Sequence, residues 1–245
     1  MEQDKFRDTL LAAGMASRDP AFKGVRVHSF GYNSDWISGK DSCLNIHHFG
    51  KSLLAEMETS PYLGDSETPI VLIGHSMGGL VIKKAYMLSR QDPAYETLSN
   101  RFHTIYFLAT PHRGSDSAKL LNGVLQASYS SKAYVADLKR SSEALQLIND
   151  EFRHYAARVN LWSFYETLEL SIGGVINALI VDVASATLGY SEEKQMPMNA
   201  DHRSICKFDT ITDPNYLILR NTLATTVNGI SKTGIRRHPV YDLKC

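Results

Sequence analysis

Apolar and polar positions follow one another along this chain in blocks that predict strands and helices in turn. The polar stretch GDSET precedes a continuous apolar run, Pro69–Gly74, and HTIYFLAT at 103–110 forms a second such run. Apolar runs without polar alternation are typical of strands buried on both faces, as in a parallel sheet. After the first run, Val81, Ala85 and Leu88 recur at helical spacing. The pattern therefore predicts strand–helix–strand units of the α/β class.

The rest of the chain extends this pattern. A helix is predicted between 42 and 60, where apolar residues recur every three or four positions. The other predicted elements are a helix at 6–15, strands at 25–32, 159–167 and 177–183, a mostly helical region at 115–158 long enough to include a cap over the sheet, and a last helix that begins at Asp213 and Pro214. We expect a single domain over 1–230, followed by a tail or linker over 231–245, where the periodicity stops.

Composition and charge narrow the class of protein. Hydrophobic residues make up 43% of the 245 and charged residues 21%, as in ordinary soluble domains. Lys and Arg total 26 and so do Asp and Glu, so no net charge attracts nucleic acid, and we expect no nucleic-acid partner. The three cysteines are widely spaced, which indicates a reducing compartment rather than a disulfide scaffold. We expect an intracellular, cytoplasmic location; association with a membrane surface or with mitochondria stays open.

Targeting and metal-binding patterns add little. The first twenty residues carry charges where a signal peptide needs an apolar core. The apolar stretch at 171–189 contains Asn177 and Asp182, so it predicts a buried strand rather than a membrane span. The sequence has no HExxH pattern and no Cys/His cluster, and we expect neither a metal nor another cofactor.

The candidate chemistry centres on GHSMG at 74–78, which fits the pattern G-x-S-x-G. Between an apolar strand and a helix, this pattern marks the nucleophile elbow of the α/β-hydrolase fold, with its mostly parallel, doubly wound sheet. So tight a turn is strained, and we expect Gly74 and Gly78 to be small because chains crowd there. The turn would place Ser76 at a helix N-terminus, where the backbone N–H of Met77 can donate to an oxyanion. The motif predicts Ser76 as a nucleophile.

A serine hydroxyl needs a base to take its proton and an acid to orient that base. In this fold the acid follows the serine in the chain and the histidine follows the acid. Glu166 ends the strand at 159–167, and His202 lies in the polar loop before the last helix. We predict these two residues as acid and base. Asp182, which ends the next predicted strand, is the alternative acid, and a capping or turn role is its competing interpretation.

Other reactive side chains receive supporting roles. His112 follows the strand next to the elbow and is predicted to line the site, whereas His75 is expected to line it mainly by shaping the turn. Cys206 is expected to be a packed thiol, because its neighbours form no cysteine-centred constellation. Lys83 and Lys84 are expected on a solvated helix face.

Six segments together resemble one known family: SFGYNSDW, GHSMGGLVIKKA, FLATPHRGS, SFYET, IVDVASATLGYSEE and ADHRSICKFD. They are similar to the lipase-like serine esterases typified by serine active site-containing protein 1. SesB-like domains at the N-termini of fungal NOD-like receptor proteins are related to these esterases. The resemblance spans 25 to 223 and implies Ser76, Glu166 and His202 as the triad, with an ester or a lipid as substrate. It also implies nucleotide-binding or repeat domains downstream in longer relatives.

The sequence departs from that family at its start. Members usually open with an apolar strand that ends in a His-Gly-x-Gly loop, the source of a second oxyanion donor. No His-Gly pair precedes the helix predicted at 6–15. Loss of one donor from a comparable oxyanion hole costs about 100- to 1,000-fold in rate. We therefore expect a shortened domain, or a substitute donor near GYNSDW.

Such a missing strand would lie between the strand at 25–32 and the elbow strand. Its absence would leave ladder hydrogen bonds unmade or bring those two strands together.

The sequence leads to three hypotheses about function. The chain is a serine hydrolase acting on esters or lipids, a weakly active or inactive signalling or interaction module with the same fold, or an acyltransferase that uses the same triad.

Overall fold

Strands and helices alternate along much of the chain. The computed structural model describes residues 19–31, 42–63, 67–113, 138–172 and 176–232. The strands are β1 (Ile70–His75), β2 (Phe102–Leu108), β3 (Asn160–Glu166), β4 (Leu170–Ile172), β5 (Ile176–Ala178) and β6 (Glu193–Met198). The helices are α1 (Ser42–Thr59), α2 (Met77–Gln91), α3 (Glu96–Asn100), α4 (Leu138–Ala156), α5 (Val183–Ala186) and α6 (Pro214–Lys232), with short 3-10 turns at Pro20–Phe22 and Pro93–Tyr95.

These residues form two compact units. The first contains the described residues among 1–31, 66–69 and 207–245, and the second those among 32–65 and 70–206. In the first unit, the Asp19 carboxylate accepts two hydrogen bonds from Arg220 of α6, at 2.7 and 2.9 Å. Asp213 caps α6 by accepting from the Asn215 backbone N–H at 2.8 Å, so the predicted start of the last helix is confirmed.

The second unit is built on a parallel sheet with the strand order β1-β2-β3-β6. Tyr106 and Trp162 are direct neighbours across β2 and β3, and their rings stack with centroids 5.9 Å apart. Helix α1 packs on α2, and α2 packs on α4. Phe107, Phe152 and Phe164 are fully buried in the core. The strands predicted at 69–74, 103–110 and 159–167 and the helix predicted between 42 and 60 are confirmed.

Strand β1 lies at an edge of this sheet, within the part of the chain that the structure describes. The Ile70 N–H donates to the carbonyl of Arg101, the residue before β2, and the Ser76 N–H donates to the carbonyl of Leu108 at the end of β2. In a parallel pair alternate residues bond to the same neighbour, so the backbone groups of Val71 and Ile73 face away from β2. The Ile73 side chain is 50% exposed. Among the described residues, no strand pairs with this side of β1.

Two strand predictions are wrong. Val25–Gly31 forms no strand, and the side chains of Val25 and Val27 are 42% and 52% exposed. Residues that favour strands need a neighbouring strand to realise that preference. In the stretch 177–183, only the beginning belongs to a strand, the short β5 paired antiparallel with β4, and Val183 already begins α5.

Strand β6 was missed because its sequence, EKQMPM, has no apolar run. It is the outer strand next to β3 among the described residues, and three of its six residues are exposed. Charged and proline residues are typical of edge strands. The helix predicted at 6–15, most of GYNSDW, residues 114–137 of the possible cap and most of the tail lie outside the described residues.

Candidate active site

Three parallel strands end at the same edge of the sheet, and each leads to one predicted side chain. Ser76 directly follows β1, Glu166 is the last residue of β3, and His202 lies in the loop after β6. The carboxyl ends of parallel strands share one edge, which is where open α/β sheets bind ligands. The topology thus brings together residues that are far apart in the sequence.

At this edge His202 lies between the serine and the glutamate. Its Nε2 is 3.0 Å from Ser76 Oγ, and its Nδ1 is 3.3 Å from Glu166 Oε2. The second contact is a close ion-pair distance without the alignment of a hydrogen bond. The other Glu166 oxygen accepts a hydrogen bond from the Val181 backbone N–H. Both side chains are buried, 3% and 0% exposed, so water competes little with these contacts.

The serine has the strained backbone that a nucleophile elbow requires. Its φ of 53° and ψ of −125° are rare for a residue with a side chain. Two hydrogen bonds hold the turn: the Ser76 N–H donates to the Leu108 carbonyl at 2.9 Å, and the Ser76 carbonyl accepts from the Gly79 N–H at 3.1 Å. Met77 is the first residue of α2, so its N–H lacks a partner within the helix and can serve as a donor.

The crowded glycines differ from those expected. A Cβ on Gly74 would lie 2.7 Å from the Gly79 nitrogen, so the first glycine is confirmed as a close approach. A Cβ on Gly78 would meet no described atom within 4 Å, so the expectation of crowding there is wrong. Gly79 is the second crowded position, because its Cβ would lie 2.1 Å from Thr110 Oγ1. On helix α2, Gly79 rather than Gly78 faces Thr110 in the loop after β2.

Burial controls the protonation of the histidine. It lowers the pKa of His202 below its ordinary value, and the charge of His75 acts in the same direction. Glu166 and Asp201 oppose this decrease, but the net shift is downward. The imidazole is therefore neutral at neutral pH and able to accept a proton.

An apolar cluster lies beside the serine. Leu170, Ile180, Val181 and Ala186 are buried together, and the partly buried side chains of Met77 and Tyr165 pack against them. Met77 is the residue after the candidate nucleophile, so the cluster reaches the elbow through that side chain.

Asp182 and His112, two other residues singled out from the sequence, do not join this arrangement. Asp182 is exposed and caps α5 by accepting from the Ser185 N–H at 2.8 Å, which is its competing interpretation. His112 is fully buried, with its ring edge-on to Phe107 at 4.7 Å between centroids. Its predicted role in lining the site stays a prediction.

Two features near the site were missed. His75 Nε2 lies 2.8 Å from the His202 backbone carbonyl, and Cys206 is among the groups that raise the pKa of His75 against the effect of burial. The sequence signal was the presence of a histidine in the elbow and a cysteine four residues after His202. Lys83 was expected in solvent but is fully buried; its Nζ donates to Asn149 Oδ1 at 2.9 Å.

Searches for two other kinds of site concern the described residues alone. They contain no group of three or more His, Cys, Asp or Glu side chains arranged for a metal ion. None of their helices combines the length and the apolar content needed to cross a bilayer.

Comparison with solved structures identifies the fold. The mature form of lipase BlEst2 from Bacillus licheniformis superposes with a TM-score of 0.52, over 73% of this chain and 74% of its own, at 18% identity. This chain has the α/β-hydrolase fold. The parallel sheet and the strand–elbow–helix unit described above are the parts that this fold predicts.

Sequence comparison finds longer relatives. Protein SERAC1 of Bos taurus is 34% identical over 209 residues, and the human protein is 29% identical over 212 residues. Each alignment covers 84% of this chain but 31% of SERAC1, so the chain spans about a third of the length of these relatives. No family model matches the chain. The relation to SERAC1 and to lipase-like α/β-hydrolases agrees with the resemblance, whereas the SesB part of it stays a prediction.

Proposed function

We propose that this chain is a serine hydrolase that cleaves carboxylic esters or lipids. The observation that carries the proposal is the position of His202, with one ring nitrogen 3.0 Å from Ser76 Oγ and the other 3.3 Å from the Glu166 carboxylate. A neutral imidazole between a hydroxyl and a buried carboxylate is what activation of a serine requires.

In the proposed reaction, Ser76 Oγ attacks the carbonyl carbon of the ester while His202 Nε2 takes the hydroxyl proton. The imidazolium is stabilised by Glu166, and the oxyanion accepts a hydrogen bond from the Met77 N–H at the start of α2. Collapse of the tetrahedral intermediate breaks the ester bond, and His202 returns the proton to the departing alcohol oxygen. Water then attacks the acyl-enzyme, again losing a proton to His202, and the acid leaves as Ser76 is restored.

The apolar cluster supports an acyl group as the part of the substrate that is recognised. Met77 and Tyr165 are partly buried and adjoin four buried apolar residues. Apolar side chains next to a nucleophile favour a hydrocarbon chain over a charged group, because a charge would lose hydration there without a partner. Esters of graded chain length would measure this preference.

Fluorophosphonate labelling of the purified protein tests the proposal. We expect labelling of the wild type and none of Ser76→Ala, because the probe bonds to an activated serine. His202→Ala and Glu166→Gln should lower the labelling rate by on the order of 1,000-fold or more. Asp182→Asn should label like the wild type, since asparagine also caps helices well. Thermal melts would show that each protein is folded.

Labelling that survives Ser76→Ala would contradict the proposal, and labelling that survives Glu166→Gln but not Asp182→Asn would assign the acid to Asp182. Product analysis with competing alcohols would distinguish hydrolysis from acyl transfer.

A second candidate function is an interaction or signalling module with little catalysis. It is favoured by the edge that β1 forms among the described residues, where Ile73 is 50% exposed. The family resemblance expects a neighbouring strand there, with the loop that supplies a second oxyanion donor. A folded wild-type protein that resists the probe would favour this candidate.

A further inference from the structure

His75 contacts the segment that carries His202. It is the last residue of β1 and immediately precedes Ser76. Its Nε2 lies 2.8 Å from the backbone carbonyl oxygen of His202, and the two rings lie 5.1 Å apart between centroids. A carbonyl oxygen can only accept, so Nε2 must carry the hydrogen of this bond.

Cys206 engages the same ring. Its charge and a side-chain hydrogen bond raise the pKa of His75, and because Nε2 already donates to the His202 carbonyl, we infer that the sulfur faces Nδ1. The thiol can donate to a neutral Nδ1, or a protonated Nδ1 can donate to the thiolate. Nε2 keeps its hydrogen in both states, so the bond to the His202 carbonyl survives the transfer of a proton between Cys206 and His75.

These two bonds fall at the two ends of one turn, because residues 202–206 are consecutive turn positions. His75 therefore links the strand that carries the serine to both ends of the turn that carries the histidine. The same two segments also meet through the side chains of Ser76 and His202, 3.0 Å apart between Oγ and Nε2.

We propose that His75 is a positioning residue that fixes His202 against Ser76, and that Cys206 holds the His75 ring in the orientation this requires. The inference rests on the proposed function, because Ser76 and His202 perform the reaction it serves.

The charges around the ring support this role. Burial alone lowers the pKa of His75, but Cys206, the His202 carbonyl and Glu166 together outweigh it, so the pKa is raised above its ordinary value. A ring that is protonated more readily donates more strongly to the carbonyl. Its charge also lowers the pKa of His202, against Glu166 and Asp201, and so helps to keep that imidazole neutral.

Paired substitutions separate positioning from simple filling of space. The amide nitrogen of His75→Gln can reach the place of Nε2 and donate to the carbonyl, whereas His75→Leu fills similar space without a donor. We expect His75→Leu to lower the fluorophosphonate labelling rate by about 10- to 100-fold, as a small misplacement of a catalytic group does. His75→Gln should keep most of the wild-type rate. Cys206→Ala should lose less than His75→Leu, and Cys206→Ser, which keeps a hydrogen-bonding group, less still.

Equal rates for His75→Leu and wild type would overturn the proposal, and so would a His75→Gln protein as slow as His75→Leu. Thermal melts and circular dichroism of each variant show whether a loss of labelling is a loss of fold.

Nitrogen NMR of the imidazole rings tests the proposal without any reaction. We expect the hydrogen of His75 to reside on Nε2 in the wild type, and the ring signals of His202 to change in His75→Leu but little in His75→Gln. A wild-type His75 with its only hydrogen on Nδ1 would overturn the proposal. If the wild type is never labelled, the proposed function fails, and the NMR result still decides the role of His75.

Discussion

Two buried histidines in the same unit differ in what surrounds them. His202 is 3% exposed and His112 is 0% exposed, and burial lowers the pKa of both. At His202 the Glu166 carboxylate opposes the decrease, whereas at His112 the positive charges of Lys83 and Arg113 reinforce it. The pKa of His112 is accordingly far below its ordinary value.

Their ring nitrogens differ as well. Those of His202 face the Ser76 hydroxyl and the Glu166 carboxylate. Neither nitrogen of His112 has a hydrogen-bond partner among the described residues, and its ring packs on Phe107. Burial by itself produces a neutral imidazole. A general base needs, in addition, a proton donor at one nitrogen and an acid at the other.

Lys83 shares the surroundings of His112. Its ammonium lies 5.1 and 5.8 Å from the ring centroids of Phe152 and Phe107, and Asn149 accepts its hydrogen bond. We call these five residues the aromatic cluster: Lys83, Phe107, His112, Asn149 and Phe152. Its buried polar groups stabilise no charge at the candidate site. At the candidate site, by contrast, the buried polar groups of Ser76, His202 and Glu166 contact one another in sequence.

We expect the largest effect from a substitution at Gly79, between the elbow and the loop after β2. Gly79 separates the elbow from Thr110, and a Cβ on Gly79 would lie 2.1 Å from Thr110 Oγ1. We expect Gly79→Ala to destabilise the fold by about 1–3 kcal/mol, as overpacking does. That corresponds to a loss of about 2–4 °C in Tm for each kcal/mol. The displaced elbow should also slow labelling of Ser76. Thermal melts and labelling rates measure both effects.

Gly78→Ala is the matched control, since no described atom lies within 4 Å of its added Cβ. It should keep the wild-type Tm and rate. Thr110→Ala should partly rescue Gly79→Ala, because the two nearest atoms, Oγ1 and Cγ2, are then absent. Similar losses for both alanine variants would show that the crowding at Gly79 is not the cause.

The pH dependence of labelling sharpens the comparison of the histidines. Protonated His202 cannot accept the Ser76 proton, so the rate should fall with decreasing pH. Because the pKa of His202 is lowered, the midpoint of that fall should lie below the ordinary value of 6.5. Below the midpoint the rate should decrease about tenfold for each pH unit. A midpoint above 6.5 would show that Glu166 outweighs burial; melts at each pH exclude acid unfolding.

The smallest effect is expected within the aromatic cluster. Burial holds the pKa of Lys83 well below its ordinary value of 10.5. The unfolded chain binds this proton more tightly than the folded protein at neutral pH, so burial of Lys83 reduces the free energy of unfolding there. Lys83→Met removes this cost and should raise the free energy of unfolding at pH 7 by about 1 kcal/mol. The gain should shrink as the pH approaches 10.5, where the unfolded chain also loses the proton. Urea melts at several pH values measure it.

Lys84→Met is the neighbouring control. Lys84 forms a partly exposed ion pair with Glu151 at 3.0 Å, and losing such a pair costs about 1 kcal/mol or less. The two methionine variants should therefore change stability in opposite directions. A Lys83→Met protein less stable than wild type at pH 7 would mean that the Asn149 bond and the ring contacts outweigh the cost of burial.

Local patterns predicted the elements whose residues are distinctive. The apolar run before GHSMG predicted β1, and Pro214 after a capping Asp213 predicted the start of α6. Strand β6 escaped prediction because an outer strand needs no apolar run, and the strand predicted at 25–32 is not a strand in its described part, 25–31. In both cases the deciding factor was the neighbouring strand, which a local window of sequence does not contain.

By itself the sequence determined the elbow, the chain order of Ser76, Glu166 and His202, and the α/β class, because these depend on local composition and on the connection rules of parallel sheets. Only the tertiary structure decided that Glu166 rather than Asp182 faces His202, and that His75 spans the turn from His202 to Cys206. It also decided that Lys83 is fully buried while Lys84 is partly exposed and paired with Glu151. Contacts and burial depend on which segments meet, and that is a property of the packed chain rather than of any stretch within it.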